Sequence, residues 1–230
     1  MIPLRDALAS YSFPAVTVAL IALNVLAFFY ELSLGRQLDF FIMQYGAVPL
    51  RFILAGQMEQ VSTLERFLPL FTSMFLHGGW LHVGGNMLYL WIFGDNVEDR
   101  LGHLRFVLFY LACGLVAALA QIYMHPTSKI PMVGASGAVA GVLGAYLILF
   151  PHSRVLALIP ILFFFQVVEL PAVLFLIFWF GMQFLNGAVS ITGASHTAEG
   201  VAWWAHIGGF VSGMALGFLI PKRKRQVWTQ

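Results

Sequence analysis

The chain has 230 residues, of which 60% are hydrophobic and only 10% charged, whereas a soluble domain carries about 25% charged residues. A chain this apolar cannot cover a water-facing surface, so its solvent is a lipid bilayer and the expected fold is an all-α, polytopic membrane protein. The formal net charge of +2 suggests no nucleic-acid partner, and a single cysteine, Cys113, rules out an intrachain disulfide framework.

In chain order, residues 1–13 lack a basic n-region, and the apolar run that follows is too long for a signal peptide. They read as a short cytoplasmic N-terminus. A spanning helix needs roughly 20 mainly apolar residues. Six segments fit: 14–33, 80–97, 103–124, 135–150, 171–188 and 203–220. Residues 34–79 mix Arg36, Asp39, Arg51, Glu59, Glu65 and Arg66 with aromatics, which predicts a long first loop of short amphipathic helices half-embedded at the interface. Residues 151–170 are apolar but broken by Pro151 and Pro160. They read as an interfacial connector, part of which could lengthen the fifth helix. Residues 188–202 are small and polar, a candidate mobile cap in which Ser190, Ser195 and His196 read as solvated. Residues 221–230 are a basic cytoplasmic tail. With six spans, Arg5, Arg100, Arg105, Arg154 and Lys222–Arg225 share one side, against Arg36, Arg51, Arg66 and Lys129 on the other. Eight positive charges against four put both termini in the cytoplasm, so the second, fourth and sixth helices begin at the external face.

Polar groups at membrane depth are costly and usually mark function. Three positions carry them, each near the start of a helix entering from outside. Ser136, in 134-GASGAVAG-141, could cap the fourth helix, help it pack, or act as a nucleophile. His206, in 203-WWAHIGGF-210, needs a partner. It could be a satisfied structural histidine. His82 and Asn86 lie at i, i+4 on one helical face and could glue two helices or point together at one spot.

Taken together, the four residues coincide in depth. Gly137, Gly141 and Gly144 on the fourth helix, and Gly209, Gly213 and Gly217 on the sixth, would let these two helices pack almost backbone to backbone. A hydroxyl at one helix start would then meet an imidazole at the other, supplying nucleophile and general base. Asp95, Glu98, Asp99 and Glu169 belong to the opposite end of the bundle. Glu199 is the one external carboxylate near the sixth helix, and it reads as solvated. A Ser–His dyad is therefore expected. The Ser136 N–H, Asn86 and His82 would be the oxyanion donors.

With these elements the sequence resembles the rhomboid family of intramembrane serine proteases. The matching elements are G-A-S-G at 134–137, A-H-I-G-G-F-V-S-G at 205–213, H-V-G-G-N at 82–86, E-D-R-L-G at 98–102 and L-H-G-G-W at 76–80, in order over about residues 14–220. The resemblance implies that Ser136 is the nucleophile, His206 the base, and His82 and Asn86 the oxyanion-hole side chains. It makes Gly134 a glycine lining the active site, and Glu98 with Arg100 a charged pair tying the second helix to the loop after it. It implies cleavage of single-pass or other transmembrane proteins near the outer end of a transmembrane segment, with no metal and no cofactor. In many rhomboids an aromatic four residues after the serine stacks on the histidine. Here that position is Ala140, which leaves Phe210 or Trp204 as candidates to support the base.

Other classes fit less well. An inactive rhomboid relative that binds membrane clients would lack the serine or the histidine. A transporter would carry deep charges or internal repeats. No H-E-x-x-H for a zinc protease is present. A bacterial plasma membrane is the expected location.

Overall fold

The computed structural model describes residues 1–161, 164–192 and 201–221. Its six long helices are α1 (Ala15–Ser33), α5 (Trp80–Leu101), α6 (His103–Met124), α7 (Ser136–Leu149), α8 (Ala172–Thr192) and α9 (Trp203–Leu219), with the short helices α2 (Leu38–Tyr45), α3 (Pro49–Ala55) and α4 (Thr63–Thr72) in the first loop. This is the expected six-helix membrane bundle. Helices α1, α6 and α8 are each long and apolar enough to cross a bilayer. The shorter α7 is the centre of the bundle. Gly137–Tyr146 are all buried, and α5, α6, α8 and α9 pack around them. At 1.5 Å per residue, α7 spans about 21 Å of a hydrocarbon layer about 30 Å thick. The helix is thus too short to cross the layer from end to end, and Ser136 is its first residue.

The glycines act as the sequence suggested. A Cβ on Gly209 would lie 2.0 Å from the Gly137 carbonyl oxygen, and one on Gly213 would lie 1.9 Å from that of Gly141. Only bare backbone allows α7 and α9 this close. Cys113 is buried on α6 against Gly141.

The first loop is held by its own charges. Arg51 donates to the carbonyls of Met43, Gln44 (3.1 Å) and Gly46 (2.9 Å), closing the C-terminus of α2. Arg66 donates to the Phe52 carbonyl at 3.2 Å and lies over the Phe52 ring at 4.5 Å. Ser62 and Glu65 form a capping box at the start of α4. Trp80 meets Phe28 edge-on at 5.0 Å. These contacts make the loop a structural element, as expected.

Residues 151–170 differ from the predicted connector, and none of them extends α8. A three-stranded antiparallel sheet forms there, ordered β1 (Ile2–Asp6), β2 (Arg154–Ile161), β3 (Phe164–Pro171). Val155 and Ala157 turn into the bundle core. Asp6 anchors the sheet by accepting from Tyr146 Oη (2.7 Å) and Asn96 Nδ2 (2.9 Å). Burial raises the Asp6 pKa. Pro160 read as a strand breaker, but β1 pairs with β2 only as far as Leu158. The missing N–H of Pro160 therefore leaves no ladder bond to β1 unmade.

Glu98 does more than reach the turn after its own helix. It is buried at the C-terminal end of α5 and accepts from Val16 N (2.9 Å), Thr17 N (2.7 Å) and Thr17 Oγ1 (2.7 Å), with His103 Nδ1 at 2.5 Å. Its carboxylate thus caps the N-terminus of α1, where Pro14 supplies no side-chain cap. It satisfies orphan N–H groups and complements the helix dipole.

Candidate active site

α7 and α9 bring their N-terminal ends together at one depth. Ser136 Oγ lies 2.8 Å from His206 Nε2. Both line a cavity of about 420 Å³ whose walls include Leu81, Gly85, Met132, Trp179 and Ala202. A larger cavity of about 690 Å³ lies in the first loop between α3 and α4, and none of the candidate residues lines it.

The second nitrogen of His206 is also occupied. Nδ1 lies 2.8 Å from Gln183 Oε1 on α8, a partner the sequence reading did not find. Among the described residues no carboxylate is bonded to His206. Glu199, Ser195 and His196 lie outside the described residues, as does the tail from 222 onward. Two rings flank the imidazole, Trp179 at 6.0 Å and tilted, and Trp203 at 6.1 Å edge-on. The two rings suggested from sequence sit elsewhere. Phe210 packs behind, against Trp179 and Phe180, while Trp204 bonds through its backbone N–H to Gln121 and through its indole to Gly187. A signal for Trp179 and Gln183 was present in their i, i+4 spacing on the fifth span, but nothing in the sequence said which helix face meets His206. Ser190, expected in a solvated loop, lies in α8 and donates to the Gly187 carbonyl at 2.7 Å.

His82 and Asn86 face the same cavity from α5. The Gly78 N–H donates to His82 Nδ1 at 3.3 Å, so the proton of a neutral His82 sits on Nε2. That nitrogen is directed at Gly134, where an added Cβ would lie 2.6 Å from it and 3.5 Å from Ser136 Oγ. Gly134 adopts φ +129, which side chains rarely tolerate. It is tied by its N–H to the Ser73 carbonyl at 2.9 Å. Asn86 is 7% exposed and its Nδ2 has no protein partner, leaving a desolvated donor beside the serine. The Ser136 N–H belongs to the first turn of α7, whose N–H groups a helix leaves unpaired. Behind His82 stands His77, whose ring lies 5.2 Å from it. Burial, with a smaller effect from His82, lowers the His77 pKa to about 4. The His77 N–H is held by the buried Glu31 carboxylate at 3.1 Å.

Chemically this is a hydroxyl bonded to an imidazole in a half-buried pocket, with three N–H donors nearby. Comparison with known proteins agrees with that architecture. A family model described as "Rhomboid domain" matches residues 64–223. The chain is 32% identical over 210 residues to "Rhomboid protease GluP" of Bacillus subtilis, covering 91% of this chain and 36% of that protein. It is 30% identical over 176 residues to "Rhomboid protein 1, mitochondrial" of Saccharomyces cerevisiae, covering 75% of this chain and 47% of that one. It is 36% identical over 150 residues to "RHOMBOID-like protein 1" of Arabidopsis thaliana, covering 65% and 33%. The chain thus spans less than half the length of these relatives. The extent of the family match, on a six-helix bundle in which a half-buried serine and histidine meet, leads to one assignment: this chain belongs to the rhomboid family.

Proposed function

We propose that this chain is an intramembrane serine endopeptidase that hydrolyses a peptide bond near the outer end of a transmembrane segment of a membrane-protein substrate. The supporting observation is the 2.8 Å contact between Ser136 Oγ and His206 Nε2 inside a cavity. His206 accepts the Ser136 proton as Oγ attacks the scissile carbonyl carbon. The negative charge that develops on the carbonyl oxygen is held by the Ser136 N–H, Asn86 Nδ2 and His82 Nε2, and one such donor is worth about 3 kcal/mol. His206 then gives its proton to the leaving amine. A water, deprotonated in turn by His206, attacks the acyl ester, and His206 returns that proton to Ser136 Oγ as the second fragment leaves. The substrate must present an unwound stretch to Ser136. A peptide bond inside an intact helix is shielded by its own hydrogen bonds. The positive-charge distribution supports cytoplasmic termini and an active site opening to the external face.

The test is cleavage of a transmembrane substrate by the protein in liposomes. Ser136→Ala and His206→Ala should each abolish it, and cleavage that persists in either refutes the assignment.

A further inference from the structure

We propose that Gln183 is a positioning residue for the general base: a neutral third member that fixes the tautomer and orientation of His206. The inference rests on the Ser–His reading above.

One face of α8 looks outward, with Leu174, Phe178 and Leu185 all more than half exposed, while Phe175 and Leu176 are buried in the core. Gln183 is its buried polar exception at 8% exposure. An amide out of water is costly unless both its ends are paired. Here both are. Nε2 donates to the Trp179 carbonyl at 3.3 Å, and Oε1 faces His206 Nδ1 at 2.8 Å. The first bond decides the second. Turning the amide over would set Oε1 against the Trp179 carbonyl oxygen, two acceptors facing each other. With Oε1 toward the histidine, Nδ1 must carry the proton, so Nε2 presents its lone pair to the Ser136 hydroxyl. That is the tautomer a general base requires.

The same turn of α8 supplies the ring contact. Trp179, whose carbonyl orients Gln183, also lies against the imidazole at 6.0 Å. On α7 the residue one turn beyond Ser136 is Ala140, a methyl group, so packing from α7 does not steer the imidazole. Helix α8 therefore does both jobs, holding the plane with Trp179 and the tautomer with Gln183. A carboxylate in this place would also orient the ring, but it would bury a charge inside the bundle. An amide orients without that cost.

The experiment compares Gln183→Met, which keeps length but removes the strong acceptor, with Gln183→Glu, which restores an acceptor oxygen. The full chain is used in liposomes with a transmembrane substrate. Gln183→Met is expected to lower kcat about 100-fold with KM unchanged, and Gln183→Glu to recover most of that loss. Nitrogen-15 NMR of histidine-labelled protein, with the His206 signals assigned by difference from His206→Ala, should report the Nδ1–H tautomer in wild type and its loss in Gln183→Met. The inference is overturned if Gln183→Met keeps kcat within about twofold, if Gln183→Glu is as slow as Gln183→Met, or if the wild-type His206 is the Nε2–H tautomer. Should Gln183→Met fail to fold, the Gln183→Glu rate and the wild-type spectrum still decide. Cleavage that survives Ser136→Ala removes the underlying reaction. Cleavage that needs Ser136 and His206 but no acceptor at 183 removes only this inference.

Discussion

Replacing Gly209 by alanine tests whether backbone contact between α7 and α9 sets the reactive distance. The added Cβ would lie 2.0 Å from the Gly137 carbonyl oxygen and 2.9 Å from its carbon. Both partners are helix main chain, so no side chain can swing aside. Reaching ordinary contact requires the helices to part by about 1.5 Å. Gly137 follows Ser136 directly and Gly209 is one turn from His206, so that separation falls on the reacting pair. The 2.8 Å contact would open past the limit of a hydrogen bond. A misplacement of this size costs about 100-fold in rate, and the overpacking costs about 1–3 kcal/mol of stability. The assay is the rate at which a fluorophosphonate modifies Ser136, measured beside thermal unfolding in the same detergent. Gly181→Ala is the control, because a Cβ there meets nothing within 4 Å. If Gly209→Ala is labelled as fast as Gly181→Ala, the close approach does not control the site and the reasoning fails.

Three further outcomes are expected. Asn86→Ala should lower kcat about 100- to 1,000-fold with little change in melting temperature, since Asn86 Nδ2 has no partner to lose in the resting protein; an unchanged kcat would remove Asn86 from the oxyanion hole. Glu98→Ala should cost about 2–4 kcal/mol by leaving the Val16 and Thr17 N–H groups uncapped, while Ser136 in the folded fraction is still modified at the wild-type rate; both are read by thermal unfolding and labelling together. The His77 pKa is depressed to about 4 from the ordinary value near 6.5, so the folded state binds fewer protons at this site than the unfolded chain. The stability it contributes is complete above about pH 6.5 and is lost as the pH falls toward 4, by up to about 3 kcal/mol. Denaturation across that window should show a steeper pH slope for wild type than for His77→Phe, and equal slopes would refute the burial argument.

The helices were legible because a bilayer imposes length and hydropathy on each span. Their observed limits fall close to the expected ones, although α8 runs on to Thr192. The pairing of α7 with α9 was legible for a related reason, since glycines recurring on one face have few uses besides close approach. Ser136, His206, His82 and Asn86 were visible as polar groups in an apolar context, and their coincidence in depth followed from the direction of each span.

The sheet was not visible, because apolar residues broken by prolines fit both a connector and a strand pair, and only pairing with residues 2–6 distinguishes them. Nor was the capping role of Glu98. Its carboxylate serves a helix start some eighty residues away, and local motifs carry no such information. Gln183 was missed for the same reason. On its own helix it is a polar residue in a mostly apolar run, like Asn186 one turn on. By itself, then, the sequence determined the solvent, the spans and the reactive residue types, which depend on composition and period. Only the tertiary structure decided which side chain meets His206 Nδ1, because the rotation of α8 about its axis follows from packing against α7 and α9.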